Sequence, residues 1–279
     1  MIEYSTHYIG ESRTPVRMAC FTSEGGSEAS LFIYPAAALI KDAVTETTEA
    51  LEEMLHRLRM KGLRPVFMRW FMSDIMNQAD AIRPTDYQCP VSVTGQPPLD
   101  SGKIVLWVHM KNGIRECRPI DDKSFRIAFD DNTVEYRCVS YNAPSSEDSE
   151  QQTHDILGRY CAMLRHEGLT LEHDCVRTWF FIRDIDTNYA GMVRARNSVF
   201  DIEGLTSDTH YITSTGIGGD MKSPDTLVSF DALAIAGKPS PEIRYLYGPT
   251  HLNRTSDYGV AFERGSIVDT PGKRRVYIS

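Results

Sequence analysis

The spacing of apolar residues predicts two long amphipathic helices. In the first, over residues 45–61, the apolar positions follow an i, i+3, i+4, i+7 pattern: Leu51, Met54, Leu55 and Leu58. In the second, over residues 153–167, the stripe consists of Ile156, Tyr160, Met163 and Leu164. Each stretch is followed by a glycine, Gly62 or Gly168, which suits the left-handed position at a helix C-terminus. Both helices are therefore predicted to cover a sheet with their apolar face.

Two aromatic and β-branched stretches, residues 66–72 and 176–182, predict strands. Each is followed by an Asp-Ile pair, and Asp74 and Asp184 are in position to cap a second helix. Those second helices are predicted over residues 76–82 and 188–200.

These elements occur twice in the same order: helix, Gly-Leu, strand, Asp-Ile, helix, Thr-Gly turn, strand. The turn is Thr94-Gly95 in the first copy and Thr215-Gly216 in the second, and the last strands are residues 104–110 and 227–235. A repeat of this length predicts a duplicated α+β unit. Any active site is then expected between units.

The unit boundaries follow from the repeat. We place the first unit at residues 1–112 and the second at residues 113–240, because the last strand of the first unit stops near Asn112. The polar stretch 142–150 has the composition of a linker. Alignment of the two copies places it inside the second unit, as a loop between a strand and its helix.

Charge and hydropathy exclude several classes of protein. The 279-residue chain has a formal net charge of −8 with scattered Lys and Arg, which disfavours a nucleic-acid partner. Its apolar runs are too short to span a membrane. The start, Met-Ile-Glu-Tyr, lacks the basic and apolar regions of a signal peptide. A cytoplasmic location is expected.

The sequence contains no recognisable metal or cofactor motif. The six cysteines have neither CxxC nor zinc-site spacing and are expected to be buried thiols. The eight histidines show no metal-binding spacing, and GxGxxG and P-loop motifs are absent. We therefore expect neither a metal nor a cofactor.

The second strand and its surroundings carry a family resemblance. Residues 177–185 read Arg-Thr-Trp-Phe-Phe-Ile-Arg-Asp-Ile, followed by Tyr189, an Arg/Asn/Phe cluster, a polar turn and an apolar strand. This order resembles the YjgF/RidA superfamily, which is also called endoribonuclease L-PSP or translation initiation inhibitor. The resemblance implies a chorismate-mutase-like fold, a mixed sheet with two helices on one face, and trimers with ligand clefts between subunits.

The C-terminal segment resembles the beginning of a third copy. Residues 256–262 and 275–279 are similar to the opening strands of the family. Residues 241–279 are therefore expected to form a linker and the first strands of an incomplete third unit. The expected fold class is α+β, with tandem YjgF-like units in a pseudo-threefold arrangement, as a pseudo-trimeric monomer or a homo-oligomer.

Two further segments resemble the chorismatase branch of this superfamily. Residues 213–218 read Thr-Ser-Thr-Gly-Ile-Gly, and residues 257–265 contain Tyr-Gly, Phe262 and Arg264, with Glu263 in place of a family serine. The resemblance implies metal-free hydrolysis that removes an enolpyruvyl group from chorismate. The acid expected to protonate that substrate would lie beyond Ser279.

The chain departs from the family's imine deaminases. Those enzymes grip the substrate carboxylate with an Arg in a turn and use a Glu in the following strand. The corresponding turns here, residues 92–95 and 212–215, contain no Arg, and Ser229 occupies the Glu position. Standard imine deaminase activity is therefore not expected.

The candidate site combines hydroxyls, glycines and arginines suited to a carboxylate. We expect residues 213–218 and Arg264 to face one cleft between units and to bind a small carboxylated metabolite. The candidate ligand-binding residues are Arg196, Tyr211, Thr213, Ser214, Thr215, Gly216, Tyr258 and Arg264. Residues 213–218 could equally be a structural turn, and Arg196, on the apolar face of its helix, could be solvated or paired.

Two functional classes remain open. The first is a chorismatase-like, metal-independent hydrolase acting on the carboxylated metabolite. The second is a non-catalytic member that binds such a ligand or only assembles.

Overall fold

The computed structural model describes residues 1–84, 87–144, 146–248 and 250–279, which form two six-stranded sheets and one three-stranded sheet. The strands of the first sheet are β1 (Ile2–Ile9), β2 (Thr14–Ser23), β3 (Gly26–Ile33), β4 (Arg64–Met72), β5 (Val91–Thr94) and β6 (Ile104–Lys111). Their spatial order is β1-β2-β3-β6-β4-β5, and only the β4–β5 pair is parallel. The helices of this unit are α1 (Ile40–Arg59) and α2 (Ile75–Gln78).

The second sheet repeats this arrangement. Its strands are β7 (Ile114–Pro119), β8 (Ser124–Phe129), β9 (Thr133–Tyr141), β10 (Cys175–Ile182), β11 (Thr213–Gly218) and β12 (Val228–Gly237). The spatial order β7-β8-β9-β12-β10-β11 is the order of the first sheet, again with one parallel pair, β10–β11. Its helices are α3 (Ser149–His166), α4 (Leu171–Asp174) and α5 (Ile185–Ile202). The predicted duplication and the α+β class are confirmed.

The third sheet contains three antiparallel strands: β13 (Glu242–Leu246), β14 (Gly265–Thr270) and β15 (Lys273–Ile278). Their connectivity is that of β1–β3 and β7–β9. The second and third sheets begin at Ile114 and Glu242. The unit boundaries after residues 112 and 240 stay predictions.

The three sheets pack on one another with the faces that the helices leave free. Val66 of β4 packs with Ile127 and Phe129 of β8. Val268 of β14 packs against Val176 and residues of β12. Charged pairs join the units as well: Arg69 Nη2 of β4 donates to Asp231 Oδ2 of β12 at 2.7 Å. Arg275 Nε of β15 donates to Glu28 Oε1 of β3 at 2.9 Å.

The predicted helical stripes form the cores of the first two units. Leu51, Met54 and Leu58 of α1 are buried, and Leu55 is partly buried. All four residues of the second stripe, in α3, are buried as well. Each unit therefore has its own core between its sheet and its helices.

Several predicted helix boundaries were wrong. Helix α1 begins five residues earlier, because Ile40 and Val44 also pack against the core. Helix α2 has only four residues and continues as a short 3₁₀ turn, Ala79–Ala81. Helix α3 begins inside the predicted loop 142–150, where the Asp148 carboxylate accepts from Gln151 N at 2.8 Å; Ser145 of that loop lies outside the described residues.

The two predicted aspartate caps differ. The Asp74 carboxylate accepts from Asn77 N at 3.3 Å, so this cap is confirmed. Asp184 makes no cap hydrogen bond and has a left-handed backbone, φ 43°. The predicted cap at Asp184 was wrong.

Among the helices of the described residues, none combines the length and apolar composition that crossing a membrane requires.

Candidate functional site

A large cavity lies between the first and second units. It has a volume of 790 Å³, and we call it cleft 1. The first unit contributes α2, β5 and the segment before β5, and the second unit contributes β7, β8, the end of β9 and the start of β12. Most of the wall is apolar; its side chains include Ile75, Val91, Val93, Phe125, Val139 and Met221.

The polar groups of cleft 1 centre on Ser140. This residue has φ 51°, a left-handed conformation that is strained for a serine. Lys123 Nζ donates to the Ser140 carbonyl oxygen at 2.7 Å, and Asn142 Nδ2 donates to the same oxygen at 3.3 Å. Ser140 N donates to Asp231 Oδ1 at 2.7 Å. Because Asp231 also binds Arg69, the buried inter-unit ion pair fixes the backbone that holds Lys123.

Burial lowers the pKa of the Lys123 ammonium, and the carboxylates of Asp122 and Asp231 only partly offset this effect. No carboxylate of the described chain lies within ion-pair distance of Lys123 Nζ. The other lysine of the cleft, Lys222, is exposed and pairs with Asp80. Of the two lysines in the wall of cleft 1, Lys123 is therefore the one without a carboxylate partner among the described residues.

Asp121 and Cys89 of cleft 1 are both poor proton donors at neutral pH. Burial acts to raise the pKa of Asp121, but the hydrogen bond from Tyr141 Oη, at 2.7 Å, and other donors lower it overall. Burial raises the pKa of the Cys89 thiol to about 12, so this thiol stays protonated at neutral pH. In the described ranges, no three His, Cys, Asp or Glu side chains cluster as a metal site would need.

The corresponding space between the second and third units is nearly filled. This space, cleft 2, has a volume of 20 Å³, about enough for one water molecule. The connection between β7 and β8 in the wall of cleft 1 spans residues 120–123, whereas the corresponding connection between β13 and β14 spans residues 247–264. The longer connection occupies cleft 2.

Glu263 of this long connection closes cleft 2. Its carboxylate Oε1 accepts from Tyr211 N at 2.9 Å, and its own backbone N donates to Ile212 O at 2.9 Å. Burial raises the pKa of the Glu263 carboxyl, although the Tyr211 hydrogen bond and the Arg254 charge oppose this. An internal carboxylate therefore takes the backbone donor that a bound carboxylate could use.

The structure brings together three of the predicted site residues. Tyr211 and Arg264 line cleft 2, and Arg264 Nη2 donates to Tyr258 Oη at 2.7 Å. Arg196 is 1% exposed, lies on α5 outside the walls of both clefts, and makes no hydrogen bond through Nε or Nη2. Burial lowers the pKa of Arg196 to about 10. The ligand-binding role of these residues stays a prediction.

Residues 213–218, predicted as a turn, form strand β11, so that prediction was wrong. Two of the three hydroxyls are used within the sheet: Thr178 Oγ1 lies 2.8 Å from Ser214 Oγ, and Arg177 Nη2 donates to Thr215 Oγ1 at 2.6 Å. Thr213 is buried in the strand, and its Oγ1 has no hydrogen-bond partner among the described residues. A Cβ on Gly216 would lie 3.0 Å from Tyr189 Cε2, so this glycine permits close packing of α5.

The strand registers also correct the alignment of the repeats. Thr94 pairs with Phe71 and Ile217 pairs with Phe181, and these two phenylalanines hold the same penultimate position of β4 and β10. Thr94 therefore corresponds to Ile217, and Gly216 corresponds to Val93. The predicted match of the two Thr-Gly pairs was wrong by two residues, because a shared dipeptide carries no information about strand register.

The sequence reasoning missed Lys123, Ser140 and Asn142. A weak signal existed for Lys123. Lys123 lies opposite Val139, whose backbone N donates to Lys123 O at 2.9 Å. At the corresponding place of the first unit, Arg17 lies opposite Phe32. A cation thus recurs at this position in both copies. Ser229, noted as the replacement of the deaminase Glu, does lie in the wall of cleft 1.

Comparisons with known proteins give matches to solved structures. No family model and no curated protein matches the sequence. One matching structure is a protein from Salmonella typhimurium classed as a translation initiation inhibitor: 18% identity, TM-score 0.33, covering 43% of this chain and 95% of the other. A member of the YjgF/YER057c/UK114 family from Mycobacterium tuberculosis has 23% identity and a TM-score of 0.31, over 40% and 83% of the two chains.

The YjgF gene product of E. coli has 17% identity and a TM-score of 0.31, over 37% of this chain and 80% of the other. Each match extends over about the length of one repeat unit. Two of these three similar structures have YjgF in their names, and all three are less than 25% identical to this chain.

Proposed function

We propose that this protein binds a small carboxylated metabolite in cleft 1. The observation that carries the proposal is a 790 Å³ inter-unit cavity with largely apolar walls. The wall contains a partly buried lysine, Lys123, that forms no ion pair with a carboxylate of the described residues. This volume lies within the range of small-molecule sites, which typically combine apolar walls with a few polar groups.

The charge of Lys123 favours a carboxylate. Its ammonium has three N–H donors, and the Ser140 carbonyl takes one of them. The other two can bind a ligand oxygen inside a cavity where charge-assisted hydrogen bonds are strong. The amide of Asn142 and the hydroxyl of Ser229 lie in the same wall. The apolar side chains suit a ring or short hydrocarbon body.

A chorismatase-like hydrolase is the second candidate, favoured by one observation. Removal of an enolpyruvyl group needs a proton donor, and Glu263 is a buried carboxyl with a raised pKa beside Tyr211 and Arg264. Cleft 2, however, holds no space for such a substrate. In cleft 1 the pKa of Asp121 is lowered, which disfavours it as an acid at neutral pH. We therefore prefer ligand binding without hydrolysis.

Isothermal titration calorimetry with 3-hydroxybenzoate and its neutral analogue 3-hydroxybenzyl alcohol tests the proposal. The wild type should bind the carboxylate more tightly. Lys123→Met should weaken carboxylate binding about ten- to a hundredfold, the size of one charge-assisted hydrogen bond, and leave the alcohol unaffected. Lys103→Met, at an exposed lysine outside both clefts, is the control. Absence of binding by the wild type, or equal binding by Lys123→Met, would contradict the proposal.

Incubation with chorismate distinguishes the two candidates. Pyruvate release, followed with lactate dehydrogenase and NADH, should stay at the rate of the protein-free control. Release that requires Glu263, and that Glu263→Gln removes, would favour the hydrolase instead.

A further inference from the structure

Lys123 differs from the other lysines that are withdrawn from solvent. Lys111 pairs with Glu135 and Glu28, and Lys273 pairs with Glu28. Lys123 Nζ instead has a backbone carbonyl as its hydrogen-bond partner and no carboxylate within 4.0 Å in the described chain. The remaining lysines are exposed. A lysine without a counter-ion, in the wall of an apolar cavity, has the environment in which an amine becomes nucleophilic.

We propose that the Lys123 amine binds 2-oxo acids covalently in cleft 1, as a protonated imine. This inference rests on the proposed function, because it uses the same cavity and the same carboxylate preference. It adds the chemical class of the ligand: a carbonyl carbon directly attached to the carboxylate.

The reaction needs no co-reactant beyond the ligand and one proton from solvent. The lone pair of the neutral amine attacks the carbonyl carbon, so that a C–N bond forms as the π bond of the carbonyl breaks. One proton passes from nitrogen to the former carbonyl oxygen, and a second proton reaches this oxygen from solvent. The C–O bond then breaks and the oxygen leaves as water, while the nitrogen of the resulting imine keeps its one remaining proton and carries a positive charge. No atom is oxidised or reduced.

The geometry around Ser140 supports this reaction. The strained backbone of Ser140 directs its carbonyl oxygen to Lys123 Nζ, and Asn142 Nδ2 binds the same oxygen. A neutral amine that donates one N–H to this oxygen keeps its lone pair for the ligand. Burial also lowers the pKa of Lys123, which increases the fraction of neutral amine at a given pH.

A 2-oxo acid fits the charge of the site before and after the reaction. The Lys123 ammonium attracts the carboxylate first. The protonated imine then keeps one positive charge next to that carboxylate, so no buried anion is left unpaired. An aldehyde without a carboxylate lacks this pairing and should react less.

The test is reductive trapping. The full chain is incubated with pyruvate and sodium cyanoborohydride, and the intact mass and peptide masses are measured. We expect one reduced adduct per chain, located at Lys123. Lys123→Arg should give no adduct while keeping its binding of 3-hydroxybenzoate, because the guanidinium keeps the charge but is not a nucleophile. Lys123→Met should lose both, and Lys103→Met should behave as the wild type.

The outcomes separate this inference from the proposed function. Adducts spread over exposed lysines, or an adduct that persists in Lys123→Arg, would overturn the imine. Binding of 3-hydroxybenzoate without any trapped pyruvate would overturn the imine and leave the cleft 1 proposal standing. Failure of both experiments would overturn both.

Discussion

Clefts 1 and 2 lie at equivalent places in the repeat but differ in volume, 790 Å³ against 20 Å³. Two local differences account for this. The connection before the second strand of the neighbouring unit spans residues 120–123 at cleft 1 and residues 247–264 at cleft 2. The helix after β4 is α2, with four residues, whereas the helix after β10 is α5, with 18 residues. A duplicated framework thus keeps its sheet order while loop and helix lengths decide which interface stays open.

The two clefts also differ in how their charged side chains are paired. At cleft 1, the buried Arg69–Asp231 pair crosses the interface and fixes Ser140. At cleft 2, Glu263 is buried against Tyr211 N, and no cationic side chain of the described residues lies within 4.0 Å of its carboxylate. Cleft 1 is therefore bordered by a buried ion pair, whereas at cleft 2 burial disfavours the ionised form of the Glu263 carboxyl.

The largest effect is expected from breaking the buried pair at cleft 1. Asp231→Asn leaves the Arg69 charge buried without a counter-ion, which typically costs about 3–5 kcal/mol. Urea unfolding should show this as a lower midpoint. It should also reduce ligand binding, because Asp231 anchors Ser140 N.

Asp269→Asn is the control for that experiment. Asp269 pairs with Arg244 and Arg274 at the surface of the third sheet, where solvent screens the interaction. Its substitution should change the midpoint far less. Equal effects of the two substitutions would show that the Arg69–Asp231 pair contributes no more than a surface pair.

A smaller effect is expected from replacing Gly216 with valine, the residue type that the first unit has at the corresponding position, Val93. The added Cβ would lie 3.0 Å from Tyr189 Cε2 and 3.2 Å from Met192 Cε, so Gly216→Val should overpack the contact with α5 and cost about 1–3 kcal/mol. Gly158→Ala, where a Cβ meets nothing within 4 Å, should instead stabilise α3 by up to about 1 kcal/mol. If Gly216→Val leaves stability unchanged but removes ligand binding, the glycine serves a ligand rather than packing.

The fold could largely be predicted from the sequence, because long apolar periodicities report which face of an element is buried. The stripes of α1 and α3 and the strands 66–72 and 176–182 were found in this way. Helix ends were predicted poorly, since Asp184 adopts a left-handed backbone instead of capping α5. Such choices depend on local tertiary contacts.

The candidate site was predicted much less well. Residues 213–218 have the composition of a ligand-binding turn, yet Gly216 and the hydroxyls of Ser214 and Thr215 serve strand and helix packing. Lys123 and Ser140 are 17 residues apart, and the Ser140 carbonyl reaches the amine through the pairing of Val139 with Lys123 and the left-handed backbone of Ser140. Neither the size of a cavity nor a strained φ leaves a clear pattern in one sequence.

The smallest effects, but the sharpest contrast, concern pH. Glu263 at cleft 2 has a folded pKa above its ordinary value, so its ionisation destabilises the fold at neutral pH, and this penalty disappears as the pH falls through the folded pKa. Glu263→Gln should therefore be more stable than the wild type at pH 8 and converge with it near pH 4. Asp121 at cleft 1 has a lowered folded pKa, so its ionised form stabilises the fold above its unfolded pKa of about 4, and this contribution is lost as the pH falls further. Asp121→Asn should be less stable than the wild type at pH 7, with a gap that narrows below pH 4. Urea unfolding of both variants between pH 3 and pH 8 measures the two differences in stability from the wild type. If both substitutions change the stability in the same direction at pH 7, the ionised carboxylates of Glu263 and Asp121 do not have opposite effects on the fold.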